Sequence, residues 1–310
     1  MRCAASVMHV LDATGPATRL AAFRVVVGVF VLAYLIGRSP VFLALADRPA
    51  EDFDGVGVLA LLSAPFSGGL VGAIVIVALV SGVATTLGWQ YRPNAIAFAA
   101  AVLLLTTLRG SWGQLLHFEN LMVLQLIVLA ASPAADAWSL DARRRAEPDR
   151  HNPTEQSVRY GWPLAVAGLV TIVTYVIAGI AKLRYGGLDW ISGDTLQNHI
   201  AYSSARLDLL GGNPPVLAEF AVRREWALGL GAAVGVAIEL SAPMVLIGRR
   251  SRNVWVAAAW LMHVGILLTM AVGFPSPLFG AAFASFFALE QVVPWARERG
   301  VRRRSAVTAA

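Results

Sequence analysis

Long apolar runs alternate with short polar intervals along almost the whole chain. A helix that crosses about 30 Å of hydrocarbon needs roughly 20 apolar residues. Eight runs approach that length: 20–36, 69–89, 94–108, 115–131, 162–182, 227–247, 254–273 and 277–295, the third being the shortest. The expected fold class is all-α, a polytopic membrane helical bundle of about eight transmembrane helices. The polar intervals set off a segment over 1–19, a transmembrane domain over 20–295 and a basic tail over 296–310. Arg24 interrupts the first run and no small-residue cleavage site follows it, so this run reads as a helix and not as a cleavable signal.

The polar intervals carry a topology signal. If the runs alternate in direction, one side receives sixteen arginines and the other seven. Cytoplasmic loops are enriched in Lys and Arg, so both termini are expected in the cytoplasm of a multi-pass inner (plasma) membrane protein. The first outer loop is acidic, with Asp47, Glu51, Asp52 and Asp54. The inner loop 132–161, with its arginine run, reads as an anchor to anionic lipid headgroups. In the outer segment 183–226, Gly186 and Gly187 are expected to break the fifth helix, with Trp190 as an interfacial anchor. The stretches 196–210 and 216–226 fit half-buried helices lying in the interface over an outer-leaflet cavity.

Composition sharpens this picture. Of 310 residues, 57% are hydrophobic and only 14% are charged, against about 25% charged in soluble domains. That excludes a disordered chain, an ordinary cytosolic enzyme and a nucleic-acid-binding module. The net charge of +6 is topological, since the basic residues cluster between apolar runs. A single cysteine, Cys3, leaves no internal disulfide. No Cys/His spacing suits a metal, and there is no phosphate-binding loop or nucleophile elbow.

Six ionisable residues fall within or beside the apolar runs: Arg24, His117, Glu119, Lys182, Glu239 and His263. A charge at mid-membrane costs roughly 2.5–3.5 kcal/mol on insertion scales, so each is expected to be paired or to face a cavity. Arg24 and Glu239 are candidates for a structural pair. Lys182 is the single lysine among 25 basic residues. Helical spacing sets Ala178, Tyr175 and Thr171 on its face. A lysine snorkelling to the headgroups is one reading, but arginine fills such places elsewhere in this chain. An amine, unlike a guanidinium, can be desolvated into its free base, which points to a chemical role. His117 shares a ridge with Gln114 and Asn120, and His263 lies one turn after Trp260. Pro243, four residues after Glu239, withholds the amide that would bond the Glu239 carbonyl.

The run Tyr175-Val-Ile-Ala-Gly-Ile-Ala-Lys182-Leu, followed by Asp189-Trp190 and Gly193, resembles the signature of the vitamin K-dependent gamma-carboxylase family. Its bacterial relatives are the horizontally transferred transmembrane, or HTTM, domain proteins. The segments Leu20 to Gly28, His117-Phe-Glu-Asn-Leu, Trp138-Ser-Leu-Asp141, Glu239-Leu-Ser-Ala-Pro243 and Met262-His263 are similar to further family segments in the same order. The resemblance implies a lyase in which a lysine amine deprotonates a reduced quinone. Oxygenation then yields a strong base that removes the γ-proton of a glutamate, and the carbanion captures carbon dioxide. It implies Lys182 as general base and His117 and His263 as assisting groups, with Tyr175, Glu239 and Trp260 around a vitamin K- or menaquinol-like cofactor. O2 and CO2 would be co-substrates, no metal would be needed, and the partners would be the lipid bilayer, the quinol and an acidic peptide or small acidic substrate. Lys182 matches the second of two adjacent family lysines, and Ala181 stands at the first. The carboxylase continues into a long soluble region where this chain carries a basic tail, so a different acidic substrate or quinol oxygenation alone is also compatible. A non-catalytic membrane protein of the same fold, an immunity or partner-binding factor, is the alternative; a transporter fits less well, with no inverted repeat in the sequence.

Overall fold

A backbone in lipid must satisfy its own amides, and helices do so within one segment. The computed structural model describes residues 12–113, 117–145 and 152–292. Among these residues the elements are helical, apart from one isolated bridge between Gly15 and Ser157. The helices are α1 (Ala17–Ala44), α2 (Gly68–Leu87), α3 (Tyr91–Gly110), α4 (Asn120–Ala131), α5 (Leu140–Arg144), α6 (Val158–Ser192), α7 (Asp194–Leu209), α8 (Ala218–Val222), α9 (Glu225–Leu240), α10 (Arg249–Met270) and α11 (Pro275–Leu278). Among the described residues, α1 with the turn after it, α2, α3, α6 and α10 are each long and apolar enough to cross a membrane. The protein is a multi-pass membrane protein. Cys3, the tail 296–310 and part of the loop 132–161 lie outside the described residues.

The expected runs map unevenly onto these helices. The shortest, 94–108, lies within a full 20-residue helix, α3. The run 115–131 is helical only from Asn120, after a 3-10 turn over His117–Glu119. The run 227–247 stops being α-helical at Leu240, and Pro243 sits in the 3-10 turn Ala242–Leu246 that follows. The run 277–295 is not a continuous helix where it is described. It consists of α11 and 3-10 turns over Ala281–Phe286 and Leu289–Gln291. Its apolar residues are suited to a span, but Pro275 and Pro277 lack amide donors and Gly280 adopts φ 77°.

The described residues of 1–168 and 284–310 form one compact unit, and Leu169–Phe283 form another. In the first unit, α2 shows why lipid is its solvent. Ile76, Val80, Val83 and Leu87, at helical spacing, are all exposed, while Val71, Val75, Ala78 and Thr85 are buried. An exposed apolar stripe of this kind would be an aggregation liability in water. The buried face of α2 meets α1 and α3 at Gly82, where a Cβ would lie 2.7 Å from Phe98 and 2.8 Å from Leu32.

Arg24, fully buried on α1, holds one end of this unit together. Its Nη1 donates to the Ala134 carbonyl (2.6 Å) and its Nη2 to the Trp138 carbonyl (2.6 Å). Close by in sequence, Asp141 accepts hydrogen bonds from the amides of Gln90 (2.9 Å) and Tyr91 (2.8 Å), capping α3 from a distant segment. The start of α1 is tied to the 289–291 turn by Arg19 and Glu290 (2.9 Å). At the far end of α1, Tyr34 and Arg109 both donate to Oε1 of the buried Glu119, Arg109 at 2.7 Å. That carboxylate secures the turn that begins at His117.

Removing the Arg24 side chain strands two carbonyls in an apolar setting. Arg24→Leu is expected to destabilise the detergent-solubilised protein by about 3 kcal/mol, the scale of losing two hydrogen bonds to a charged group. Arg24→Lys should recover part of this, because an ammonium keeps the charge without the two-armed reach. A thermal unfolding series checks both, and a wild-type melting temperature for Arg24→Leu would show that these bonds are dispensable.

Candidate functional site

One face of α6 in the second unit carries Thr171, Tyr175, Gly179 and Lys182, spaced by four, four and three residues. Thr171 and Tyr175 are buried, and Thr171 donates to the Ala282 carbonyl at 3.0 Å. Gly179 is where α6 and α9 touch. A Cβ there would lie 2.9 Å from Cδ2 of Leu240 and 3.1 Å from Cβ of Glu239. This closeness lets Lys182, one turn further on, reach the end of α9. Its Nζ donates to Oε1 of Glu239 in a tight ion pair, with the side chains 27% and 7% exposed respectively.

Beyond Lys182 the helix continues to Gly187, whose φ of 55° and ψ of −138° interrupt it. The break at the glycine pair was legible in the sequence; the extra helical residues after Lys182 were not. The chain past this break supplies Trp190, and Nζ of Lys182 lies 5.5 Å from its ring centroid. The ammonium is thus held by a carboxylate and a π face together, the latter worth about 0.5–2 kcal/mol.

Two turns before Lys182, the Tyr175 hydroxyl is 2.8 Å from Nε2 of His263. Aromatic rings enclose this pair. Trp255 meets Tyr175 edge-on at 4.9 Å, Phe283 lies 6.2 Å from Tyr175, and Phe274 lies 4.9 Å from His263. Trp255 in turn donates its indole N–H to the Ile238 carbonyl (2.9 Å), in the residue before Glu239.

Two polar atoms in this cluster are buried without a hydrogen-bond partner among the described residues: Oε2 of Glu239 and Nδ1 of His263. If Tyr175 donates to Nε2, the imidazole proton sits on Nδ1 and meets no protein acceptor. Leaving such a group unsatisfied costs about 1–3 kcal/mol, and unsatisfied groups in native structures call for a functional or solvent explanation.

Four of the residues singled out from the sequence therefore converge: Lys182, Tyr175, Glu239 and His263. Trp260 stands apart from the rings around Tyr175. It is 42% exposed and its indole donates to the Leu278 carbonyl at 3.0 Å. The expected pairing of Arg24 with Glu239 is not formed. Arg24 belongs to the first unit and spreads its guanidinium over backbone carbonyls, whereas Glu239 is taken by Lys182. His117 also belongs to the first unit; its backbone opens the 117–119 turn, and its side chain and Gln114 lie outside what the structure describes. Sequence reading missed Trp255 and Gly179. Trp255, Ala259 and His263 are the buried residues of α10, and their four-residue spacing marks one face. The role of Gly179 had no signal beyond its lying between Tyr175 and Lys182.

A family model described as the HTTM domain matches residues 14–288, covering both units. No curated protein matches the chain, and no solved structure matches it.

The contact at Gly179 yields a stability test. Gly179→Val should force α6 off α9 and cost about 1–3 kcal/mol, as overpacking does. Trimming the neighbour with Leu240→Ala should return part of that loss in the double variant, a coupling that an unfolding cycle measures. Additive effects would mean that the close approach does not govern the site.

Proposed function

This chain belongs to the HTTM domain family, and from that membership together with the polar cluster around Lys182 we propose that it is a quinol-dependent, carboxylase-like enzyme using Lys182 as general base. The observation that carries this reading is the chain's only lysine lodged on Glu239, with Oε2 of Glu239 and Nδ1 of His263 buried and unpartnered in the same cluster. The residues fit a reduced quinone: Tyr175, Trp255, Phe274 and Phe283 offer aromatic faces, and the unpartnered atoms suit hydroxyl groups. When bound, a reduced quinone supplies electrons to O2 and so the strong base that carbon-acid deprotonation needs, with CO2 as electrophile.

The residues then divide the work. Moving the shared proton from Nζ to Glu239 leaves a neutral amine, which takes up a hydroxyl proton; Glu239 keeps the first proton as a neutral carboxyl whose carbonyl oxygen accepts a hydrogen bond from the ammonium that forms. His263, oriented by Tyr175 through Nε2, holds or donates a proton at Nδ1. His117 is proposed as a second assisting group. Trp190 covers one side of the amine, and where it keeps water off, each electrostatic contact is strengthened. The substrate is proposed to be an acidic peptide or small acid, and the location the plasma membrane with both termini in the cytoplasm.

One observation favours a second reading, in which the protein is a non-catalytic partner-binding or immunity factor. The Lys182–Glu239 pair is already complete and clamps α6 to α9 at Gly179. Lys182→Arg separates the two readings, since arginine preserves the ion pair but cannot yield a free base. The variant should keep the wild-type melting temperature and lose quinol oxidation at least about a hundredfold, the scale of general-base catalysis. Unchanged quinol oxidation by folded Lys182→Arg would remove the base role and leave the clamp.

A further inference from the structure

A cavity of about 660 Å³ opens in the second unit where α9, the 3-10 turn after it and the start of α10 meet. Its walls are apolar: Ile238, Met244, Ile247, Val254, Trp255 and Ala258. Arg249 and Arg250 join this lining through their apolar stems, and both residues are exposed, which leaves their guanidinium groups free to meet a ligand at its edge. We propose that this cleft binds one anionic glycerophospholipid, with an acyl chain along the apolar wall and the phosphate between Arg249 and Arg250.

Charge complementarity selects this occupant. Arg249 and Arg250 are exposed, and neither is in an ion pair among the described residues. They begin a 22-residue helix whose first turn contains no acidic residue and whose N-cap, Gly248, supplies no side-chain cap. Positive charge at the positive end of a helix dipole is unfavourable, and uncapped first-turn amides add to the excess. An anion at this place offsets both. Met244, Ile247 and Val254 line the same cavity as the arginines and are themselves exposed, so one surface offers both charged and apolar side chains. The short segment 248–253 is also one of those that the arginine bias assigns to the cytoplasmic face, where anionic lipids concentrate and basic pockets between helices bind their headgroups. A neutral quinone would fill the apolar wall but leave the arginines unmatched.

The test is native mass spectrometry of the full chain in neutral detergent, with phosphatidylglycerol and phosphatidylcholine of identical acyl chains. The wild type should retain phosphatidylglycerol at least tenfold better than phosphatidylcholine. The double variant Arg249→Gln/Arg250→Gln should retain one phosphatidylglycerol fewer per protein. Ala258→Trp, which fills the cleft and leaves both arginines, should lose the same single lipid. Melting temperatures without added lipid report whether each variant is folded, and the two variants perturb different parts of the cleft, so the failure of one to fold leaves the other decisive. Equal retention of the two lipids by the wild type overturns the proposal. So does undiminished phosphatidylglycerol binding in either folded variant, or its displacement by a long-tailed uncharged naphthoquinone.

Discussion

An ammonium and a carboxylate survive among apolar helices only when each meets the other, and the second unit depends on that meeting between Lys182 and Glu239. Removing two charges from water costs several kcal/mol apiece, and the mutual attraction repays it only in good geometry. Good geometry here is a property of the backbone. Gly179 allows α6 and Glu239 to approach to a distance that a side chain would forbid. The ring of Trp190, brought round by the break at Gly187, covers the amine from another side. Lysine, glutamate, tryptophan and two glycines therefore form one device, and none of them explains its position alone.

The first unit solves the same problem by other means. Arg24 carries a buried charge and has no acidic hydrogen-bond partner among the described residues; it takes peptide carbonyls at Ala134 and Trp138. Asp141 takes peptide amides at the start of α3. Each converts a charge into an organiser of irregular backbone, which cannot otherwise satisfy its polar groups away from water. At the other end a buried acid meets a base directly, where Arg109 and Tyr34 share Glu119. This accounts for some of the residues that resembled the carboxylase family. Arg24, Trp138 and Asp141 support the scaffold, while Tyr175, Lys182, Glu239 and His263 converge on the candidate site.

The distinction explains what could be seen in the sequence. Helical class and the shared face of Thr171, Tyr175 and Lys182 were legible because both follow from periodicity, which survives folding. The partner of Arg24 was not, because a carbonyl has no residue type; pattern reading looks for an acid and found Glu239. Hydropathy likewise announced the run 277–295 but could not show that it is broken, since Pro277 and Gly280 act through missing amides and dihedrals and leave the apolar count intact. Trp255 was hidden for a different reason. An aromatic residue in a membrane helix faces lipid or protein with equal hydropathy, and only its registry with Ala259 and His263 tells which.

Lysine at position 182 remains the most discriminating feature, because everything else about its setting would accept an arginine. The partner is a carboxylate, and a guanidinium would bind it with two hydrogen bonds where the amine makes one. The aromatic face of Trp190 would stack on a guanidinium at least as well. Stability alone would therefore favour the residue that the chain uses at its other 24 basic positions. What an amine adds is a proton that can leave. The same cluster leaves Oε2 of Glu239 and Nδ1 of His263 unmatched, at a cost that a purely structural clamp would have no reason to carry. A removable proton beside two buried atoms without partners among the described residues is an arrangement suited to a hydroxyl-bearing ligand, and it is the feature on which the proposed catalytic role rests.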